Sequence, residues 1–174
     1  MFLRKLTLQN FKCLAKLELD FEVTATRNRQ WTLLLGENGT GKSNLLKAIA
    51  LITCGSNALG EIVGNLDSWI ALGKPSCTIR ACLTTKKGEE RELALKIRRG
   101  DTLSRLISNN QKVLQLIDDA IDNADRNYFV VGYGASRRLV SDAASTMSYS
   151  EASRYGSRAG NIRNLFDAGA TLHP

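Results

Sequence analysis

The chain has 174 residues, a length typical of a single domain with a sizeable hydrophobic core. Its net charge of +7 suits a polyanionic partner, although the basic side chains are spread along the sequence instead of forming one block. No apolar run approaches the roughly 20 residues that span a bilayer, and the N-terminus does not resemble a signal peptide. The four cysteines form no CxxC pair and there is one histidine, which argues against a zinc site and for reduced thiols. We therefore expect a cytoplasmic protein without a membrane partner.

The N-terminal residues predict three strands. Residues 3–11 and 17–23 alternate apolar and polar side chains and are expected to pair as antiparallel strands. A polar loop over 24–30 leads to the apolar run 31–35, which predicts a buried strand. Trp31 begins this run and is expected in the core, with stacking on an adenine ring as the alternative.

The octapeptide GENGTGKS, Gly36 to Ser43, fits the P-loop pattern GxxxxGK[ST] at every fixed position. A strand before it and apolar helical spacing over residues 44–52 after it predict a strand–loop–helix unit. Such a unit binds phosphate through backbone N–H groups and the positive helix N-terminus, and its glycines allow a close phosphate approach. Lys42 is expected to reach the β- and γ-phosphates of ATP, and the Ser43 hydroxyl to bind Mg²⁺.

The next segment predicts helices and a hairpin. The P-loop helix should end near residues 54–57, a cluster of helix-breaking residues, and residues 62–72 predict a second helix. Alternating runs at 77–84 and 93–98, joined by a polar turn with glycine at 86–89, predict a β-hairpin.

The C-terminal residues are less regular. A long helix is expected from residue 101 or 102 to 121, followed by a compact strand at 128–133. Residues 139–160 are rich in Ser, Ala and Gly and are expected to be flexible or only locally ordered. Residues 161–166 predict a short helical turn.

A second acidic motif, needed to orient Mg²⁺ and the attacking water, is not evident. The run 113–119 ends in Asp118 and Asp119, but the helical stripe continues on both sides, so these residues are predicted to be bystanders on a helix. We therefore expect a nucleotide-binding lobe over 1–138 and a tail over 139–174 that leads toward a C-terminal half absent from this sequence.

Two segments resemble a known family. Asn10-Phe11-Lys12, followed by GENGTGKSNLL at 36–46, resembles the N-terminal lobe of ABC-type head ATPases of the SMC, RecF and OLD-nuclease group. Residues 131–137, VGYGASR, resemble a segment of bacterial AAA-labelled ATPases of this group, including some from phage-defence systems. The resemblance implies an α/β P-loop NTPase fold, with an ABC-ATPase-like N-terminal lobe that contains a mixed sheet, a β-hairpin and a long helix.

The resemblance also implies which residues surround ATP and Mg²⁺. They are Lys12, Gly36, Asn38, Gly39, Thr40, Gly41, Lys42, Ser43, Asn44 and Arg137, with Ser43 as the metal ligand. Lys12 would lie beside the nucleotide, and Arg137 would face the γ-phosphate or the junction between lobes. A solvated lysine and a structural ion pair are the respective alternatives.

In this family, hydrolysis needs a C-terminal half and a second head, so self-association through heads is expected. The chain is then the ATP-binding head of an ATPase in DNA maintenance or anti-phage defence, with DNA and a partner nuclease as candidate partners. One alternative is a non-hydrolysing, nucleotide-dependent regulatory or assembly module that controls a nuclease. Another is a small P-loop kinase with Arg154 and Arg158 in a lid. The candidate DNA contacts are Lys86, Lys87, Arg98 and Arg99 on the hairpin, whose turn is expected to project a positive end, unless these charges only solvate it.

Overall fold

The computed structural model describes residues 2–24, 27–28, 31–84, 88–122, 130–134, 138–139, 156–167 and 171–172. Its strands are β1 (Phe2–Phe11), β2 (Leu14–Asp20), β3 (Glu22–Thr24), β4 (Arg27–Asn28), β5 (Ser76–Thr84), β6 (Glu90–Arg98), β7 (Arg138–Leu139) and β8 (Thr171–Leu172). Its α-helices are α1 (Lys42–Thr53), α2 (Ser56–Ile62), α3 (Leu103–Asn109), α4 (Gln111–Asp122) and α5 (Gly156–Phe166). A 3₁₀ turn covers Leu66–Trp69.

The main sheet has four antiparallel strands in the order β2-β1-β5-β6. Both predicted antiparallel pairs, β1 with β2 and the β5–β6 hairpin, are confirmed. The α/β class with its hairpin stands as predicted. Parallel pairing within the described ranges occurs between β7 and β8, which form a sheet of their own, so the main sheet is antiparallel where a mixed sheet was expected. The core lies on the face where Leu6, Leu8, Ile79 and Leu95 point, beneath the helices. The other face carries the polar half of each alternating strand.

The predicted strand at 31–35 is wrong for this chain. Residues 31–37 form no strand. Trp31, Leu33 and Leu35 are 91%, 81% and 83% exposed, respectively. A strand needs a neighbour for its backbone N–H and C=O groups, and no described strand pairs with this segment. The expected core position of Trp31 is therefore also wrong, whereas stacking on adenine stays a prediction.

The first helix ends as predicted, at Thr53 with Cys54 as its C-cap, but the helix expected at 62–72 is wrong. Helix α2 ends at Ile62, and Gly64 then takes φ +56°, which stops a right-handed helix. The Asn65 side chain accepts a hydrogen bond from the Asp67 N–H at 3.0 Å and begins the separate 3₁₀ turn. The Asn65 side chain therefore caps a new turn, and α2 does not continue through this segment.

The long helix predicted from residue 101 to 121 is divided into α3 and α4 by Asn110. This side chain is buried, and its amide donates to the Lys96 carbonyl at 2.9 Å while accepting from the Lys96 N–H at 2.8 Å. Asn110 therefore forms hydrogen bonds with both backbone groups of Lys96 at the outer edge of β6, as a residue of a neighbouring strand would. The tertiary hydrogen bonds explain the break, which apolar periodicity could not detect.

The strand predicted at 128–133 is not observed in the described part of that region. The segment 130–134 forms no strand. It docks on α5, where the Gly132 N–H donates to the Asn161 carbonyl at 3.0 Å and the Gly134 N–H to Asn164 Oδ1 at 2.8 Å. Helix α5 contains the predicted turn 161–166 but begins five residues earlier, inside the segment expected to be flexible. The rest of that segment lies outside the described residues, and the division at 138/139 stays a prediction.

All four cysteines are free, as the reduced-thiol prediction requires. Burial raises the pKa of Cys54 to about 12 and that of Cys77 to about 11, so both thiols stay protonated and unreactive at neutral pH. Among the described helices, none combines the length and apolar character needed to cross a bilayer.

Candidate functional site

The loop between Glu37 and the start of α1 has the conformation that its glycines permit. Gly39 and Gly41 have φ values of +83° and +98°, a region that side-chain-bearing residues rarely adopt. A Cβ at Gly41 would also lie 3.1 Å from both Cys13 Sγ and a Leu14 methyl carbon. Gly41 therefore serves two purposes, because it turns the loop into α1 and lets the β1–β2 turn pack against it.

The N-terminus of α1 is free to bind an anion. Its N-cap, Gly41, supplies no capping side chain, and the first turn contains no acidic residue. The backbone N–H groups of a first helical turn have no partner within the helix, and the helix dipole adds partial positive charge there. This end of α1 has the electrostatics of a phosphate site.

Lys42 is folded over the loop. Its Nζ donates to the carbonyl oxygens of Gly36 at 2.6 Å and Glu37 at 2.5 Å, while the Thr40 hydroxyl donates to the same Glu37 carbonyl at 2.9 Å. The ammonium is thus positioned across the loop by neutral acceptors. A phosphate oxygen is a stronger, charged acceptor and would compete with these carbonyls for Lys42.

The Mg²⁺ ligand expected at Ser43 fits the arrangement. Ser43 is exposed in the first turn of α1, beside the loop. The described ranges hold no group of three or more His, Cys, Asp or Glu side chains that could bind a metal. Mg²⁺ in nucleotide sites is held by one or two protein groups together with substrate phosphates and water, so one hydroxyl ligand beside the phosphate loop suffices.

Asn38 and Asn44 differ in their surroundings. Asn38 is exposed at the tip of the loop. Asn44 is half-buried, and its Nδ2 lies 3.4 Å from Cys13 Sγ, so it ties the β1–β2 turn to the first turn of α1.

Lys12 lies in that same turn and is not a fully solvated lysine. Its φ is +50°, its N–H donates to the Trp69 carbonyl at 2.9 Å, and its Nζ lies 4.3 Å from the centroid of the Trp69 ring. Burial lowers the pKa of Lys12, and the nearby charge of Lys47 lowers it further. Sequence reasoning missed Lys47 and Trp69. Lys47 could have been noticed, because it follows Ser43 by one helical turn.

The remaining predicted positions are Arg137 and the four candidate DNA contacts. Arg137, Lys86 and Lys87 lie outside the described residues. Arg98 is the last residue of β6, at the end of the hairpin away from the turn, and Arg99 follows it, so the two arginines do not add charge to the turn itself. Arg99 instead bonds to the Lys74 carbonyl at 3.2 Å and pairs with Asp67 at 3.7 Å.

Asp118 and Asp119 lie on α4, as predicted. Asp118 Oδ1 accepts a hydrogen bond from the Ser56 N–H at 2.9 Å, at the start of α2. Asp119 is exposed. The hydrogen bond gives Asp118 a structural role.

Comparison with known proteins yields partial matches. A family model described as AAA domain matches residues 5–131. Septu protein PtuA of Bacillus mycoides (strain KBAB4) is 40% identical over 62 residues, which are 36% of this chain and 9% of that protein. The DNA replication and repair protein RecF of Rickettsia felis (strain ATCC VR-1525 / URRWXCal2) is 34% identical over 87 residues, which are 50% of this chain and 21% of that protein.

A solved structure of the recombination mediator protein RecF-ATPrS in the RecFOR pathway matches 58% of this chain and 25% of that chain. The match has 18% sequence identity and a TM-score of 0.44. The chain spans 9% of the length of the Septu protein and 21% of the length of the Rickettsia felis RecF protein.

Proposed function

Because the chain belongs to the AAA domain family, as the N-terminal part of an ABC-type ATPase of the SMC/RecF group, we propose that its P-loop binds ATP with Mg²⁺. The observation that carries the proposal is the loop from Gly36 to Ser43, with Lys42 across it and an uncapped helix N-terminus behind it. Titration calorimetry with ATP and Mg²⁺ tests it, and the absence of binding would contradict it.

We further propose that this head acts in DNA maintenance or anti-phage defence, in the cytoplasm. Relatives named DNA replication and repair protein RecF and Septu protein PtuA support this proposal. Hydrolysis would require a C-terminal half and a second head, so the full protein would associate through its heads. The alternative is a regulatory module that binds nucleotide without turnover and controls a partner nuclease.

The chain by itself is expected to show little or no steady-state ATP hydrolysis. Asp118 is engaged in capping α2 and Asp119 is an exposed residue of α4, so neither is placed by its contacts to orient water at the P-loop. A phosphate-release assay on the purified chain checks this. Robust turnover that disappears in Asp119→Asn would show that the acidic pair is the true second motif.

A second candidate function is DNA binding on the open face of the sheet. In the strand register, Lys16, Gln9, Thr78 and Lys96 form one row across all four strands, and Arg98 follows beside Ser76. On the same face, Glu18 lies in the next row, opposite Thr7, and Asp20 lies one row further, opposite Lys5. The basic row therefore presents positive charge to a polyanion without a carboxylate in the row.

Replacing both Lys96 and Arg98 with alanine is expected to weaken binding of a DNA duplex at low salt. Each lost phosphate contact should reduce the slope of log K against log salt by about 0.9. Fluorescence anisotropy at several salt concentrations measures this. The control is Lys5→Ala, because Lys5 is already paired with Glu18 on the same face, at an Nζ–Oε1 distance of 2.5 Å. Equal affinity of the double variant and the wild type would remove this face as a DNA site.

A further inference from the structure

The turn between the 3₁₀ turn and β5 presents an apolar side chain to solvent. Leu72 is 99% exposed, the highest value among the large apolar side chains of the described residues. The apolar side chains on either side of this turn, Ile70 and Cys77, are buried. A single exposed leucine is ordinary on a protein surface, so its rigidity and its surroundings decide whether it has a role.

The turn that carries Leu72 is held by hydrogen bonds at both ends. Residues 71–74 form a tight turn, in which the first carbonyl accepts from the last N–H at 3.1 Å and Gly73 has φ +72°. Arg99 donates to the last carbonyl of the turn through Nε at 3.2 Å and to the first through Nη2 at 3.5 Å. The first N–H donates to the Asn10 carbonyl at 2.9 Å, near the end of β1. These contacts fix Leu72 in an exposed position.

The turn adjoins the basic row on the open face of the sheet. It leads into β5 at Ser76, whose partner in the strand register is Arg98 of β6. Lys74 and Arg98 are both exposed, and neither belongs to a salt bridge within the described part of the chain. Positive charge therefore extends from the row to the turn. An apolar tip beside two unneutralised cations is complementary to a duplex, which has phosphates outside and stacked bases inside.

We propose that Leu72 is an apolar wedge that inserts between two base pairs of a DNA duplex bound on the open face. This inference rests on the proposed DNA binding of that face. Lys74 and Arg98 contact the phosphates beside the inserted leucine. Inserted apolar side chains unstack a base step and bend the duplex, and a rigid turn lowers the entropic cost of ordering the wedge. The wedge therefore favours base steps that unstack easily, such as TA.

The test is Leu72→Ala, measured by fluorescence anisotropy on two duplexes that differ only in a central TA step or A-tract. The wild type is expected to prefer the TA duplex. Leu72→Ala should bind that duplex about tenfold more weakly, because the burial of the leucine side chain is lost, and should bind the A-tract duplex nearly as the wild type does. The slope of log K against log salt should not change, because an apolar contact releases no counterions.

Two further variants show whether the effect is specific to the wedge. Leu72→Phe keeps a large apolar side chain and is expected to retain the preference for the TA step. Leu116→Ala removes another exposed leucine, on α4, and should leave both affinities unchanged. Because Leu72 is almost fully exposed, its replacement should not affect the stability of the fold, which circular dichroism checks.

A fluorescent aminopurine base at the central step reports insertion directly. Its emission rises when the base is unstacked. At saturating protein, binding of the wild type should therefore raise the emission, and binding of Leu72→Ala should leave it low. Because both proteins saturate the duplex, this readout does not depend on their affinities.

The outcomes separate the wedge from the proposed DNA binding. If the wild type binds no duplex at low salt, the DNA function of the open face fails and the wedge fails with it. If binding is lost in the Lys96→Ala/Arg98→Ala double variant but Leu72→Ala binds both duplexes as the wild type does, only the wedge is overturned. An equal rise of the aminopurine emission with Leu72→Ala would also overturn it.

Discussion

Replacing Lys42 with alanine is expected to weaken ATP binding by about 10- to 150-fold, since a charge-assisted hydrogen bond contributes roughly 1.5–3 kcal/mol. The ammonium already lies across the loop, on the carbonyl oxygens of Gly36 and Glu37. Its removal leaves the phosphates to the loop amides and the dipole of α1. Titration calorimetry with Mg²⁺ at fixed ionic strength measures the difference.

The interpretation of the Lys42 variant depends on an intact fold. Both hydrogen bonds of its ammonium are exposed contacts within the loop, so the core should not change. Circular dichroism of the variant checks this. Lys74→Ala is the control for a general loss of positive charge, because Lys74 is exposed and outside the loop. Equal ATP affinity of the wild type and Lys42→Ala would contradict the assignment of the P-loop as the nucleotide site.

Replacing Trp69 with alanine is expected to cost about 3–5 kcal/mol of unfolding free energy, the range for large aromatic-to-alanine changes in cores. Trp69 is 5% exposed, stacks on Phe11 and contacts Phe166, so its removal leaves a cavity between β1 and α5. A domain with a total stability of roughly 5–15 kcal/mol would then be close to unfolding. Urea denaturation followed by circular dichroism measures the change in the unfolding midpoint.

The chain contains its own control for this prediction. Trp31, the other tryptophan, is 91% exposed, so Trp31→Ala should alter the unfolding free energy by less than about 0.5 kcal/mol. Similar losses in the two variants would mean that Trp31 is buried in solution. Such a result would also return the segment 31–35 to the core, where the apolar pattern first predicted it.

The phosphate loop could be read from the sequence because its requirements are local. Gly39 and Gly41 need positive φ values, Lys42 needs only to follow them, and α1 begins directly after the loop. Strands β1 and β2 and the β5–β6 hairpin were predictable for a similar reason. Their side chains alternate along the chain, and a short connection brings each pair together.

Other features depend on contacts between distant residues. Asn110 divides a continuous apolar stripe because β6 offers it an unpaired backbone edge. Residues 31–35 have the composition of a buried strand but no described partner, whereas Gly132 and Gly134 bind α5 instead of a sheet. Local pattern identifies which residues prefer burial, but long-range hydrogen bonding determines where their backbone groups find partners.

The candidate site shows the same division. The sequence by itself determined the P-loop, since chain connectivity alone places Lys42 and Ser43 at the start of α1. Only the tertiary structure brought Lys12, Lys47 and Trp69 together, because β1, α1 and the 3₁₀ turn meet through packing of residues far apart in the chain. The proximity of these side chains is a property of that packing, and no spacing in the sequence encodes it.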